Sequence, residues 1–176
     1  HWIQKAKRER GARLVVIDPY RTPTAEKADL HLAPLPGTDG ALACAVMHVL
    51  LAEGYADRDY LAKHTDFSPA VEAHFAQRTP EWAAAITGLT PAQIVEFARL
   101  YGATQRSYLR VGYGFTRQRN GSAAMHAVSC LPAITGAWQY PGGGALFGQS
   151  GLYGLERRFL HGEDAPNPPA RSLDLS

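Results

Sequence analysis

Asp18, Arg21, Thr22 and Thr24 stand close together behind a short apolar run, and Gly37, Thr38 and Asp39 follow at the head of a second apolar stretch. A carboxylate at a strand's end can accept hydrogen bonds from ribose hydroxyls, because ligands of open α/β sheets sit beyond the carboxyl ends of the strands. The Arg21 fork and the threonine hydroxyls suit a phosphate. A helix starting at Gly37 to Asp39 would turn its N–H groups and positive dipole end towards an anion, and Asp39 could accept the N–H edge of guanine. These are the parts of a nucleotide diphosphate site. Each has a plain structural alternative: Asp18-Pro19 as a strand-ending turn, Arg21 as a solvated side chain, and Thr38 or Asp39 as a helix cap.

Such residues need elements to hold them. Leu14-Val15-Val16-Ile17 is β-branched and aliphatic on both faces and too short for a helix, so it reads as a buried central strand of a parallel sheet. Pro19 stops it. Before it, Trp2, Ile3 and Ala6 are spaced as the buried edge of a helix whose outer face carries Lys5, Lys7, Arg8 and Arg10, closed by Gly11. That helix reads as the second part of a βαβ unit. Its first strand and phosphate-binding glycine turn are expected upstream, since the chain opens on His1 without an initiator Met. Residues 30–35 alternate as a short strand that Pro36 closes. A helix then begins at Thr38 or Asp39 and buries Leu42, Val46, Val49 and Leu50 before Gly54 ends it.

Residues 55–105 read as a helical appendage. Asp57, Ser68-Pro69, Thr79-Pro80 and Thr90-Pro91 each start a helix, and Thr79 and Thr90, each before a Pro at the first helical position, give a double start signal. Val71 and Phe75 are expected on the buried side of the second of these, and Ile94, Phe97, Ala98 and Tyr101 inward on the fourth. Tyr108 to Val111 reads as a second buried strand ending in Gly112-Tyr113-Gly114, glycines that let backbone come close to a ligand or close a tight turn. A helix opens at Asn120-Gly121, carries Pro132 and closes at Gly136, and Pro141 to Gly144 read as a flexible turn.

With 176 residues and near-average apolar and charged fractions, the chain can bury a core of its own. A net charge of +2 with scattered basic residues excludes a nucleic-acid footprint, which needs them clustered on one face. The longest apolar stretch, residues 41–52, is too short to span a membrane and is interrupted by His48. Cys44 and Cys130 fall in apolar helical patterns and read as small buried hydrophobes. His31 has no second His or Cys at metal spacing, and His64 and His74 lie on the helical appendage, so no metal site and no catalytic residue is assigned.

The string VVIDPYRTPTAEKADLHLAPLPGTDGALACAVMHVL resembles the molybdopterin oxidoreductase family, with its formate dehydrogenases, nitrate reductases and dimethyl sulfoxide reductase. The likeness continues through Gly112-Tyr113-Gly114, Asn120-Gly121, residues 131–136 and Pro141 to Gly144, and so covers about residues 12–150. Tyr20 stands where many members have a first Arg. Phe147 stands where formate-oxidising members have an Arg, which counts against formate.

The resemblance implies a three-layer αβα domain with a mainly parallel, doubly wound, Rossmann-like sheet and a helical insertion, over residues 1–161, followed by a Pro-rich linker or tail at 162–176. It implies the guanine dinucleotide end of a molybdenum or tungsten bis-molybdopterin cofactor held by Asp18, Arg21, Thr22, Gly37, Thr38 and Asp39. Gly112, Tyr113 and Gln149 would lie on the pterin side, with Tyr113 facing the metal. An iron–sulfur cluster is expected only upstream. Partners implied are the remaining domains of the same protein and an electron-transfer subunit, in the cytoplasm or alternatively the periplasm. The fragment alone is expected to be inactive. Two alternatives are a non-catalytic subunit like the large iron–sulfur subunit of respiratory complex I, and an unrelated NAD-binding module. Joint retention of Arg21, Thr22 and Asp39 speaks against the first, and the absence of a Gly-x-Gly-x-x-Gly turn before an acid speaks against the second.

Overall fold

A computed structural model describes residues 2–148, the side chain of Phe115 excepted. In chain order it forms helix α1 (Trp2–Arg10), strand β1 (Val15–Ile17), a 3₁₀ turn at Ala25–Lys27, strand β2 (Leu30–Leu32) and helix α2 (Asp39–Ala52). Helices α3 (Arg58–His64), α4 (Pro69–Ala76), α5 (Pro80–Thr87) and α6 (Pro91–Gly102) come next. Strand β3 (Tyr108–Arg110), the short helix α7 (Tyr113–Thr116), helix α8 (Gly121–Ile134), a 3₁₀ turn at Ala137–Gln139 and strand β4 (Gly144–Leu146) complete it.

The helix starts obey the local chemistry. Asp57, Ser68, Thr79 and Thr90 each accept a hydrogen bond from the backbone N–H three residues on, and Thr90 with Gln93 completes a capping box. Thr90→Ala is therefore expected to lower stability by about 1 kcal/mol, measured as a shift in the denaturant midpoint at constant slope.

The core is mostly helical. Leu42, Val46, Val49 and Leu50 of α2 meet Ala83 of α5, Ile94, Phe97, Ala98 and Tyr101 of α6, and Leu131 and Ile134 of α8. The stretch read as an appendage thus shares the core of α2. Val71 is exposed rather than inward, while Phe75 packs on the core's edge.

Helices α2 and α8 run side by side in the same direction. At their heads Asn120 Nδ2 donates to the Gly37 carbonyl at 2.8 Å, and at their tails the Asp57 N–H donates to the Ile134 carbonyl at 2.9 Å. They come this close because a Cβ at Gly40 would already touch the Ala124 Cα at 3.4 Å.

Parallel pairing is observed, but as two separate two-stranded sheets among the described residues: β1 with β2 in the register Val16 to His31, and β3 with β4 in the register Leu109 to Ala145. Neither β1 nor β3 is a buried central strand. Among the described residues each pairs on one edge only, and Ile17 is 39% exposed and Tyr108 50% exposed. The turn expected at Pro141 to Gly144 ends in β4, because Gly144 at φ 101° passes under Trp138, where any Cβ would lie 2.3 Å from the indole. Helix α1 buries no residue, and Trp2 is 76% exposed. Lys7 ties the helix to the rest of the chain, its Nζ donating to the Lys27 carbonyl and pairing with Asp29 at 2.9 Å.

Candidate functional site

The carboxyl ends of β1 and β2 carry the first group of candidates. Asp18 is half-buried, and its Oδ1 accepts the Tyr20 N–H at 2.8 Å, so the strand-ending turn is real and occupies one carboxylate oxygen. Oδ2 has no partner among the described residues. The adjacent Asp18 carbonyl accepts from His31 Nε2 at 2.9 Å, which ties the turn to β2. Thr22 Oγ1 accepts the Ala25 N–H at 3.2 Å and keeps its own proton to donate. Arg21 is exposed and makes no ion pair or hydrogen bond among the described residues.

The second group heads α2. Gly37 has φ 81°, a left-handed value that only glycine adopts freely, and this turns the chain into the helix. Neither Thr38 nor Asp39 caps the helix, contrary to expectation. The Thr38 hydroxyl is drawn back to the Leu35 carbonyl at 2.6 Å, and the Asp39 carboxylate faces its own backbone N–H. Burial holds the Asp39 carboxyl above the usual carboxylate range, against the smaller opposing pull of that N–H. A half-buried acid without a cation beside it is suited to a ligand that brings N–H donors.

The third group lies at the ends of β3 and β4. Gly112 is open, with nothing among the described residues beyond its chain neighbours within 4 Å of where a Cβ would stand. Tyr113 is 51% exposed and meets Phe147 edge-on at 4.8 Å between ring centroids. A Cβ at Gly148 would lie 2.7 Å from the Tyr113 hydroxyl, so the phenol rests where only glycine leaves room. The Arg117 guanidinium stands 5.7 Å from the same ring. Gln149 lies outside the described residues.

Asn120 joins the second group to the loop between α7 and α8 through its bond to Gly37. Among the described residues no hydrogen bond joins the Asp18 turn to the Gly37–Asp39 turn. A cavity of about 170 Å³ opens beside the first group, lined by Ile3, Leu14, Thr24 and Lys27 among others, and does not include Asp18 or Arg21. Among the described residues no cluster of His, Cys, Asp and Glu could hold a metal ion, and no helix is long and apolar enough to cross a membrane. Cys44 and Cys130 are free and half-buried, and burial pushes both thiols up.

The residue that sequence reasoning missed is Arg110. Its Nη1 donates to the carbonyls of Val111, Leu146 and Phe147, crossing from β3 to β4. A charged side chain between Leu109 and Val111, two residues before Gly112, was the available signal.

Comparison with known proteins shows the family. The family model described as molybdopterin oxidoreductase matches residues 1–166. The chain belongs to the molybdopterin oxidoreductase family. It is 40% identical over 149 residues to the probable oxidoreductase YoaE of Bacillus subtilis, a match covering 85% of this chain and 22% of that protein. It is 36% identical over 157 residues to the dimethyl sulfoxide/trimethylamine N-oxide reductase of Rhodobacter capsulatus, covering 85% of this chain and 19% of that one. Among solved structures, acetylene hydratase from Pelobacter acetylenicus superposes with a TM-score of 0.69 at 30% identity, covering 76% of this chain and 18% of the hydratase. This family member thus spans about a fifth of the length of the curated relatives it matches.

Proposed function

We propose that this chain is the part of a molybdenum- or tungsten-dependent oxidoreductase that holds the guanine dinucleotide end of a bis-molybdopterin cofactor. The observation that carries the reading is the pair of unanswered groups at strand and helix ends. Arg21 has no partner among the described residues, and α2 starts with no side-chain cap beside a half-buried Asp39. A nucleotide diphosphate answers both, its phosphates meeting the guanidinium and its guanine N–H edge meeting the carboxylate.

In this reading Asp39 binds guanine, the free oxygen of Asp18 binds ribose or guanine, and Arg21 and the Thr22 proton bind phosphate. Gly37 and Thr38 bring backbone close to the nucleotide, while Gly112, Tyr113 and Gln149 flank the pterin. When bound, the metal and pterin supply the electron chemistry, and this chain supplies binding and orientation. The two parallel strand pairs belong to one αβα sheet whose other strands come from the rest of the protein. Any iron–sulfur cluster lies there too, as does the contact with an electron-transfer subunit.

The test is metal and nucleotide analysis of the full-length protein. Molybdenum or tungsten, with GMP released on acid hydrolysis, is the expected result. A well-folded preparation lacking both overturns the reading in favour of a structural subunit that has lost the pterin.

A further inference from the structure

The carboxyl ends of β3 and β4 are fastened by one side chain. Arg110 lies exposed on β3, yet its guanidinium is not spent on an acid among the described residues. Nη1 donates to the Val111 carbonyl at 2.7 Å, to the Leu146 carbonyl at 3.4 Å and, more tightly, to the Phe147 carbonyl. The same strand ends are joined by the backbone bond from the Val111 N–H to Leu146. Strand ends normally fray, and carbonyls beyond the last ladder bond have only water to bind. Here one guanidinium nitrogen bridges the Val111 and Phe147 carbonyls and also reaches the Leu146 carbonyl, which already accepts the Val111 N–H.

Directly beyond those carbonyls stands the aromatic pair. Phe147 carries one ring and Gly148 leaves the gap in which the Tyr113 hydroxyl sits, while Tyr113 itself begins two residues after Val111. Two of the surfaces that locate the phenol therefore stand on backbone that Arg110 grips. We propose that Arg110 is a positioning residue for Tyr113: it fixes the ends of β3 and β4 in relative place, so that the phenol is presented in one orientation towards the bound pterin. This rests on the cofactor reading above for what Tyr113 faces, and not for the orientation itself.

The experiment uses the full-length protein carrying a meta-fluorotyrosine at position 113 and reads its fluorine resonance together with the molybdenum retained after desalting. Wild type is expected to give one resonance. Arg110→Met is expected to shift or split it and to lower retained molybdenum several-fold, and Arg110→Lys, which keeps N–H donors on one nitrogen, is expected to restore both in part. Gly148→Ala, which places a methyl against the phenol without touching Arg110, is expected to move the same resonance. Arg99→Met removes a comparably exposed arginine from its pairing with Glu53 and is expected to leave the resonance in place.

A resonance unmoved in Arg110→Met, or moved equally in Arg99→Met, overturns the proposal, as does unchanged molybdenum retention. Absence of molybdenum and GMP from the wild type overturns instead the cofactor reading, and is distinguished by the wild-type analysis alone.

Discussion

Asp39→Asn in the full-length protein is expected to lower bound guanine nucleotide by about tenfold or more, the scale of losing a charge-assisted hydrogen-bond pair. Acid hydrolysis and GMP quantitation per folded chain measure it. The same substitution is expected to leave the nucleotide-free protein slightly more stable at neutral pH, and the sign comes from the carboxyl's position. Burial holds it above its ordinary value in the folded chain, so the folded state binds the proton more tightly than the unfolded one. Its favourable contribution is complete below the ordinary carboxylate value and is lost as pH rises through the interval up to the raised folded value. Above that interval the ionised acid is a fixed burden, which Asn removes. Guanine N–H donors favour the ionised form, so wild-type nucleotide retention should fall on acidification through the same interval. Unfolding midpoints that do not rise in the variant would refute the assignment of burial as the dominant influence.

Gly121→Ala carries the largest expected effect on stability. A Cβ there would lie 2.1 Å from the Thr116 carbonyl oxygen and 2.8 Å from the Thr116 Cα, and backbone cannot swing aside as a side chain can. Either α7 lifts or the first turn of α8 shifts, at a loss of about 3 kcal/mol. Because α7 begins with Tyr113 and the adjoining Asn120 grips Gly37, cofactor retention should fall with it. Gly114→Ala, where a Cβ would meet nothing within 4 Å beyond its own helix and chain neighbours among the described residues, is the comparison and should stay within about 0.5 kcal/mol of wild type. Equal midpoints for the two variants in chemical denaturation would sink the argument.

The helices were readable because their start signals are local. Ser68, Thr79 and Thr90 with the prolines after them need only a few residues to act, and each caps as expected. The inward face of α6 was readable from its spacing for the same reason. The strands were less so. An apolar run such as residues 14–17 tells of apolar neighbours but not of how many edges are paired, and β1 pairs on one. Strand β4 has a glycine, an alanine and a leucine, and becomes a strand only by lying beside β3.

The candidate site divides likewise. The Asp18 turn is legible from Asp-Pro in sequence, and Gly37 from the turn it must make. That Thr38 would bond backwards and leave α2 uncapped depends on where Leu35 sits. Arg110 could not be understood before β4 was placed, since two of its three carbonyl partners come from that distant segment.

The close approach of Gly40 to Ala124 has a practical bearing on exchanging parts between relatives. The small residues at that contact let the two backbones pack closely, and the Asn120 bond to the Gly37 carbonyl couples the loops at their heads. A chimera that transplants only the Gly37 turn and its helix would seat it on a foreign counterpart and misalign both loops by the mismatch. Residues 37–52 and 116–134 are the unit that must travel together if ligand preference is to be moved between members of this family.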